Sequence, residues 1–234
     1  SSLRIAASSN RPPSCLLVGM EFLSFNKSIN SDLKFVGDGD EEVATKELPL
    51  RYTWSIWGQA AKGSYQEATQ ILGTFSTVQG FWKSCKQMPQ PSVLLEKQMV
   101  RETEAGAEPL DAVMIFREGV RPEWEDKTNA EGGHFQFQLK PSLGGGQLDE
   151  YWNNLVLGVI GSTIEPANMI TGLRMVDKLS GARASNLIRI EVWFTNFDNT
   201  AAVQQLRRSV EKCMATRLDG SQGTIPRCET KSHH

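Results

Sequence analysis

The sequence predicts an α+β fold, an antiparallel sheet with helices packed on one face. Three observations lead there. Short segments rich in β-formers or of period two recur at 48–58, 111–116, 133–139, 171–178 and 186–195. Segments with apolar spacings of three and four fall at 78–86, 148–161 and 199–218. The two kinds alternate irregularly, which favours hairpins with helices on one side over a parallel doubly wound sheet. The other face of the sheet is then left for a ligand.

Taken in order, residues 1 to 45 are Ser- and Asn-rich, then acidic at 38–42 (DGDEE). They read as a poorly ordered extension with one short pairing segment at 21–25. A single domain is expected over 46–218 and a polar tail over 219–234. In LPLRYTWSIWG, Leu50, Tyr52, Trp54 and Ile56 share a strand face. A glycine-flanked loop follows at 59–64, and 65–75 mixes patterns as a strand plus turn. Ser76 or Thr77 caps the helix at 78–86, which places Val78, Phe81, Trp82 and Cys85 on one side. Within the Pro-interrupted stretch 89–109, residues 93–100 fit strand or helix.

DAVMIF at 111–116 reads as a buried strand, and EGVRPEWEDKTNAEG at 118–132 as a loop. GHFQFQL at 133–139 alternates strictly: Phe135, Phe137 and Leu139 face one way, His134, Gln136 and Gln138 the other. After a glycine turn, the helix at 148–161 carries Leu148, Trp152, Leu155 or Val156, and Val159 on its apolar stripe, with Gly161 as its stop. The strands 171–178 and 186–195 form a hairpin. The longest helix, 199–218, buries Ala202, Val203, Leu206, Val210, Cys213 and Met214.

Composition narrows the function classes. The 234 residues carry 25 Lys and Arg against 27 Asp and Glu, a net charge of −2. That balance excludes a generally basic nucleic-acid coat, so any nucleic acid must be gripped at a local site. The cysteines at 15, 85, 213 and 228 form no CxxC pair and read as free thiols of a reducing compartment. Of three histidines, His233 and His234 end the sequence and are set aside as resembling a tag remnant. A His-dependent triad and a multi-His metal site are both hard to build from His134 alone. No enzyme, metal or cofactor is expected. No apolar run reaches about 18 residues and no signal peptide is recognisable, so a cytoplasmic location is expected.

Six tryptophans stand at 54, 57, 82, 124, 152 and 193. Trp124 lies in the charged loop PEWED. Such a ring either folds back over the sheet edge or lines a pocket, and the residues alone leave both readings open. An aromatic plate beside the Glu125 carboxylate suits a planar, cationic, donor-rich ligand. The hairpin carries Arg174, Lys178, Arg183 and Arg189. These read either as solvated charge, the commoner case, or as a clamp for a short polyanion. The glycine run 144–146 lacks the Lys-Ser/Thr of a phosphate-binding loop and reads as a connector.

The order PLRYTWSIWG, TVQGFW, GVRPEWED, GGHFQF, LDEYWNNLVLGVIG and VWFTNFDN resembles the eukaryotic translation initiation factor 4E family, over about 48–218. The resemblance implies a curved antiparallel sheet, three helices on its convex face, and a slot on the concave side for the 7-methylguanosine cap of mRNA. It implies that Tyr65 (where the family normally has Trp) and Trp124 sandwich the methylated base. Glu125 would read guanine, Trp193 would lie by the N7-methyl group, and Lys178, Arg189, Arg183 or Arg174 would hold phosphate. On the convex face, Pro49, Val78, Trp82, Leu157 and Gly161 match the surface for a scaffold protein of the initiation factor 4G type or a repressor. Asn153 and Asn154 depart from the family pattern there. The resemblance implies a monomeric cap-binding factor of translation initiation; a cap-binding repressor, a general single-strand RNA module and an enzyme on nucleotides are the alternatives.

Overall fold

The computed structural model describes residues 47–104, 106–180 and 184–234. The expected extension with its segment at 21–25, and Arg183, lie outside the described residues. Eight strands form one antiparallel sheet: β1 (Pro49–Ala60), β2 (Thr69–Thr77), β3 (Val100–Thr103), β4 (Gly106–Arg117), β5 (Gly133–Leu139), β6 (Ile170–Lys178), β7 (Leu187–Phe194) and β8 (Cys228–Ser232). Their order is β2-β1-β4-β6-β7-β5-β8, and β3 lies off this path, paired with β4. Among the described residues the α-helices are a single turn α1 (Tyr65–Ala68), then α2 (Val78–Cys85), α3 (Gly145–Ile160) and α4 (Thr200–Ala215). The fold is the expected α+β arrangement of an open, curved sheet with helices.

The register divides the sheet into two faces, because opposed residues of an antiparallel pair point the same way. One face carries Ile56, Ile115, Leu173, Val192 and Phe135, paired in succession across β1, β4, β6, β7 and β5. These are all buried, as are Leu148, Trp152, Leu155 and Val159 of α3 and Leu206, Val210 and Met214 of α4. Together they make the helix-side core. The other face carries Trp57, Met114, Arg174, Glu191 and Gln136, again in one row. Trp57, Met114, Phe116, Val120 and Trp193 form a second apolar cluster there.

Helix positions follow from local chemistry. Thr77 accepts the Gly80 N–H through its side chain and so caps α2. Asn199 does the same for α4 through the Ala202 N–H. α3 is fixed to a 3-10 turn at Pro91–Leu95. Asp149 accepts from the Ser92 N–H at 2.7 Å and from its hydroxyl at 2.6 Å. α3 and α4 meet at Gly158, where an added Cβ would stand 2.6 Å from Cys213 Sγ and 2.9 Å from Ile164. Asn154, one turn earlier, donates to the Met214 and Thr216 carbonyls at 3.1 and 2.7 Å. It thereby satisfies the last carbonyls of α4.

Several elements differ from the sequence reading. The 65–75 stretch begins with a helical turn, because Ser64 and Glu67 form a capping box: Glu67 accepts from the Ser64 backbone N–H at 3.4 Å and also from its hydroxyl at 2.7 Å. β1 runs on to Ala60, into the expected loop. The ambiguous 93–100 region resolves into the 3-10 turn, a connection and the start of β3. α4 stops at Ala215, short of Leu218, which is 86% exposed and gains nothing from continuing. The expected polar tail contains β8, which pairs with the free edge of β5. No helix among the described residues is long and apolar enough to cross a membrane.

Gly158→Ala should force α3 and α4 apart and lower stability by about 1–3 kcal/mol, the usual range for overpacking. A urea melt should show a lower midpoint with unchanged slope. An unchanged midpoint would mean that Cys213 and Ile164 yield without cost.

Candidate functional site

On the open face, a cavity of about 510 Å³ is lined by Tyr65, Pro122, Trp124, Glu125, Arg174 and Trp193, among others. That volume suits a small-molecule site, typically roughly 300–1,000 Å³. Three kinds of element converge on it. Tyr65 comes from α1, Trp124 and Glu125 from the loop after β4, and Arg174 and Trp193 from the sheet floor.

The floor is built around Glu191, whose side chain is 3% exposed. Its Oε2 accepts the Trp193 indole N–H at 2.9 Å and lies 3.4 Å from Arg174; its Oε1 lies 2.8 Å from Arg189 Nε. Burial pushes the Glu191 carboxyl up, but Arg174, Arg189, His134 and the indole N–H together outweigh it and hold the pKa below the usual value. The carboxylate is therefore charged. Arg174 also donates to Gln59 Oε1 at 2.6 Å. Trp193 is held edge-on by Phe116, with centroids 5.3 Å apart and planes at 79°. Gly172 makes room for Phe116, since a Cβ there would come within 2.4 Å of the ring.

The two outer rings differ in setting. Tyr65 donates its hydroxyl to the Pro122 carbonyl, which ties α1 to the loop bearing Trp124. The Arg174 guanidinium stands 5.9 Å from the Tyr65 ring centroid. Burial raises the Tyr65 pKa, against the pull of Arg174, so the phenol keeps its proton. Trp124 is 54% exposed. The loop beneath it is tightly held: Asn129 Nδ2 donates to the Arg121 and Glu123 carbonyls at 2.8 and 3.0 Å, and Arg121 pairs with Glu123 at 2.8 Å.

The structure thus brings Tyr65, Trp124, Glu125, Trp193 and Arg174 to one cavity. Arg189 lies on the same face of the sheet, opposite Val176, and is joined to the floor through Glu191. Lys178 ends β6 and does not line the cavity. Arg183 lies outside the described residues. On the helix side, Val78 opens α2 and half-buried Trp82 follows it, while Leu157 is 42% exposed on α3 and Gly161 is its cap. Pro49 starts β1 beside Leu48, also 42% exposed. Half-buried Asn153 lies on α3 next to Asn154, which is committed to α4.

Sequence reasoning missed three contributors. Glu191 was hidden in an apolar strand, although its place opposite Arg174 is a cross-strand charge pair. Asn129 looked like an ordinary loop residue. His233, set aside as tag-like, stands against Trp124, Trp193 and His134. Among the described residues no group of three His, Cys, Asp or Glu could hold a metal ion.

The sequence model of the family described as Eukaryotic initiation factor 4E matches residues 49–223. Eukaryotic translation initiation factor 4E-2 of Schizosaccharomyces pombe is 29% identical over 169 residues, 71% of this chain and 61% of that protein. Eukaryotic translation initiation factor 4E of Saccharomyces cerevisiae is 33% identical over 121 residues, 50% of each chain. The chain thus spans less than two thirds of the length of either relative. Among solved structures, Ascaris suum eIF4E-3 with an m2,2,7G cap superimposes with a TM-score of 0.64 at 18% identity, over 81% of this chain and 93% of that one. Caenorhabditis elegans eIF4E-3, with the 4E-binding protein Mextli and a cap analog, gives 0.62 at 17% identity, over 80% and 94%. These two likenesses establish the shared fold.

One pH dependence follows from the site. Burial pushes the His134 pKa down to about 4, against a smaller upward pull from Glu191. The unfolded imidazole titrates near pH 6.5. Between about pH 6.5 and 4 the unfolded chain takes up a proton that the folded protein refuses, so stability should fall as the pH drops through that window. Denaturant melts across it should show a shallower slope for His134→Gln; an identical slope would assign the dependence to other groups.

Proposed function

Because the chain belongs to the eukaryotic initiation factor 4E family, we propose that it binds the 7-methylguanosine 5′ cap of mRNA in the cavity between Tyr65 and Trp124 and acts in translation initiation. The observation that carries this reading is the convergence of two aromatic rings, an exposed carboxylate and a guanidinium on one cavity of nucleotide size.

Methylation at N7 gives guanine a delocalised positive charge. The faces of Trp124 and Tyr65 attract it by stacking and by cation–π attraction, each base–ring stack being worth about 1–3 kcal/mol. Unmethylated guanine loses the charge-dependent part. The Glu125 carboxylate, which only accepts hydrogen bonds, pairs with the adjacent N1–H and N2 amino donors of guanine and mismatches adenine. Trp193 offers an apolar edge to the methyl group. No bond is made or broken.

The triphosphate runs along the basic side of the β6–β7 hairpin, past Arg174 and toward Arg189 and Lys178. Its contribution is salt-sensitive. Glu191 cancels part of the charge on Arg174 and Arg189, so the phosphates meet a weaker field than the hairpin's composition suggests. On the helix side, exposed Leu48 and Leu157, with Val78 and Trp82, offer an apolar surface to a helical segment of a 4G-type scaffold or of a repressor. The protein acts where mRNA is translated, in the cytoplasm.

Fluorescence titration with 7-methylguanosine triphosphate and with GTP tests the reading, because the tryptophans themselves report. The methylated ligand should bind at least tenfold more tightly, and Trp124→Ala should weaken it by more than tenfold. Equal affinity for the two nucleotides, or equal affinity for an uncapped single-stranded RNA, would reject cap binding.

A further inference from the structure

The last described strand places a histidine against the Trp124 ring. β8 pairs with β5 from Phe137↔Cys228 to Gly133↔Ser232, and the His233 N–H extends the pairing by donating to the Gly132 carbonyl at 3.1 Å. That fixes the His233 backbone against the end of the loop that bears Trp124.

Both ring nitrogens of His233 are engaged. Nδ1 lies 2.8 Å from the Asn129 carbonyl, and Nε2 lies 3.0 Å from Nδ1 of His134. A carbonyl only accepts, so Nδ1 carries the proton; Nε2 of the neutral ring then accepts from His134. Burial pushes the His233 pKa down, which favours this neutral form. Asn129 in turn holds the carbonyls of Arg121 and Glu123, the latter immediately before Trp124. A hydrogen-bonded chain therefore runs from β5 through His134, His233 and Asn129 into the Trp124 loop.

The imidazole also lies nearly parallel to the Trp124 indole, with planes at 15° and centroids 6.0 Å apart, and 4.5 Å from the Trp193 centroid. His233 is not among the residues that line the cavity, so it acts on Trp124 from outside it. Trp124 is more than half exposed and sits on a loop, so it has few other contacts to restrict its rotamer.

We propose that His233 is a positioning residue that braces the Trp124 ring for base stacking, by direct ring contact and by anchoring Asn129 to the sheet. The inference rests on the reading of Trp124 as a stacking ring. A ring already held in its bound orientation loses less freedom when the ligand arrives. Removal of the brace should therefore appear as weaker binding that depends on Trp124.

The test is a double-mutant cycle on the full chain with 7-methylguanosine triphosphate. His233→Ala should weaken binding about three- to tenfold, the cost of freeing one large side chain. In the Trp124→Ala background the same change should alter affinity less than twofold. His233→Phe, which keeps a ring but no hydrogen bonds, should fall between wild type and His233→Ala. An equal loss in both backgrounds, or none in the wild type, overturns the brace. A second readout needs no ligand: with 5-fluorotryptophan, the Trp124 resonance should move toward the solvent-exposed position in His233→Ala and less so in His233→Phe. An unmoved resonance rejects the proposal even if the protein binds no cap. If wild type fails to bind while the resonance moves, the cap reading falls and the brace stands.

Discussion

A single buried carboxylate organises the open face of this sheet. Glu191 is surrounded by two guanidinium groups and an indole N–H, and none of these four groups could be buried cheaply alone. Desolvating an unpaired charge costs several kcal/mol, so removing any one partner leaves the others exposed to that penalty. The result is mutual restraint. Arg174 is aimed at the cavity, Trp193 is locked in one orientation, and His134 is stacked on Trp193 at 19° with centroids 5.6 Å apart. Through His134 the restraint reaches His233, and through His233 the loop of Trp124. The position of the most exposed ring in the site is thus tied to the least exposed charge.

This arrangement depends on the antiparallel register. Glu191 can meet Arg174 because β6 and β7 pair them directly, and Trp193 stands beside His134 because β7 and β5 do the same. A slip of one residue in either pairing would send the polar row into the helix-side core and bring Ile and Val to the cavity face. Register is guarded on the far side by the close contact of α3 and α4 at Gly158 and by the packing of α3 on the sheet. The cavity face and the core are two faces of the same strands, so neither can be altered freely without the other.

The sequence revealed most of the strands and all three longer helices, because those rest on hydrophobic period or β-former content within the segment itself. Phe135, Phe137 and Leu139 fell on the face that the alternation required. The cavity rings were legible through the order of tryptophan motifs. What escaped was set by pairing rather than by pattern. β8 is a short polar edge strand, CETKS, whose Glu and Lys suit an exposed edge and carry no apolar signal. Glu191 gives no signal between Ile190 and Val192, because its partner Arg174 stands opposite it on another strand. Ser64 and Glu67 did spell a capping box, but the aromatic and mixed residues after it suggested strand. Asn154 read as a departure at a partner surface, whereas its amide closes the end of α4. In each case the decisive neighbour lies elsewhere in the chain or in a local motif too short to show a period.

The phenol at position 65 can be weighed in the same terms. Where the resemblance leads one to expect an indole, this chain has a smaller π face, and stacking on it should be weaker. The exchange adds something an indole at that distance does not supply: a hydroxyl donor to the Pro122 carbonyl. That bond joins α1, which carries one ring, to the loop that carries the other. A two-ring site pays twice for flexibility, once for each ring, unless the rings are coupled. Here Tyr65 is tied to the Trp124 loop and His233 packs against the Trp124 ring, so ordering either ring helps to order its counterpart. Lost stacking area can be offset by a smaller ordering cost, and under the proposed cap binding the balance between them decides how tightly the base is held.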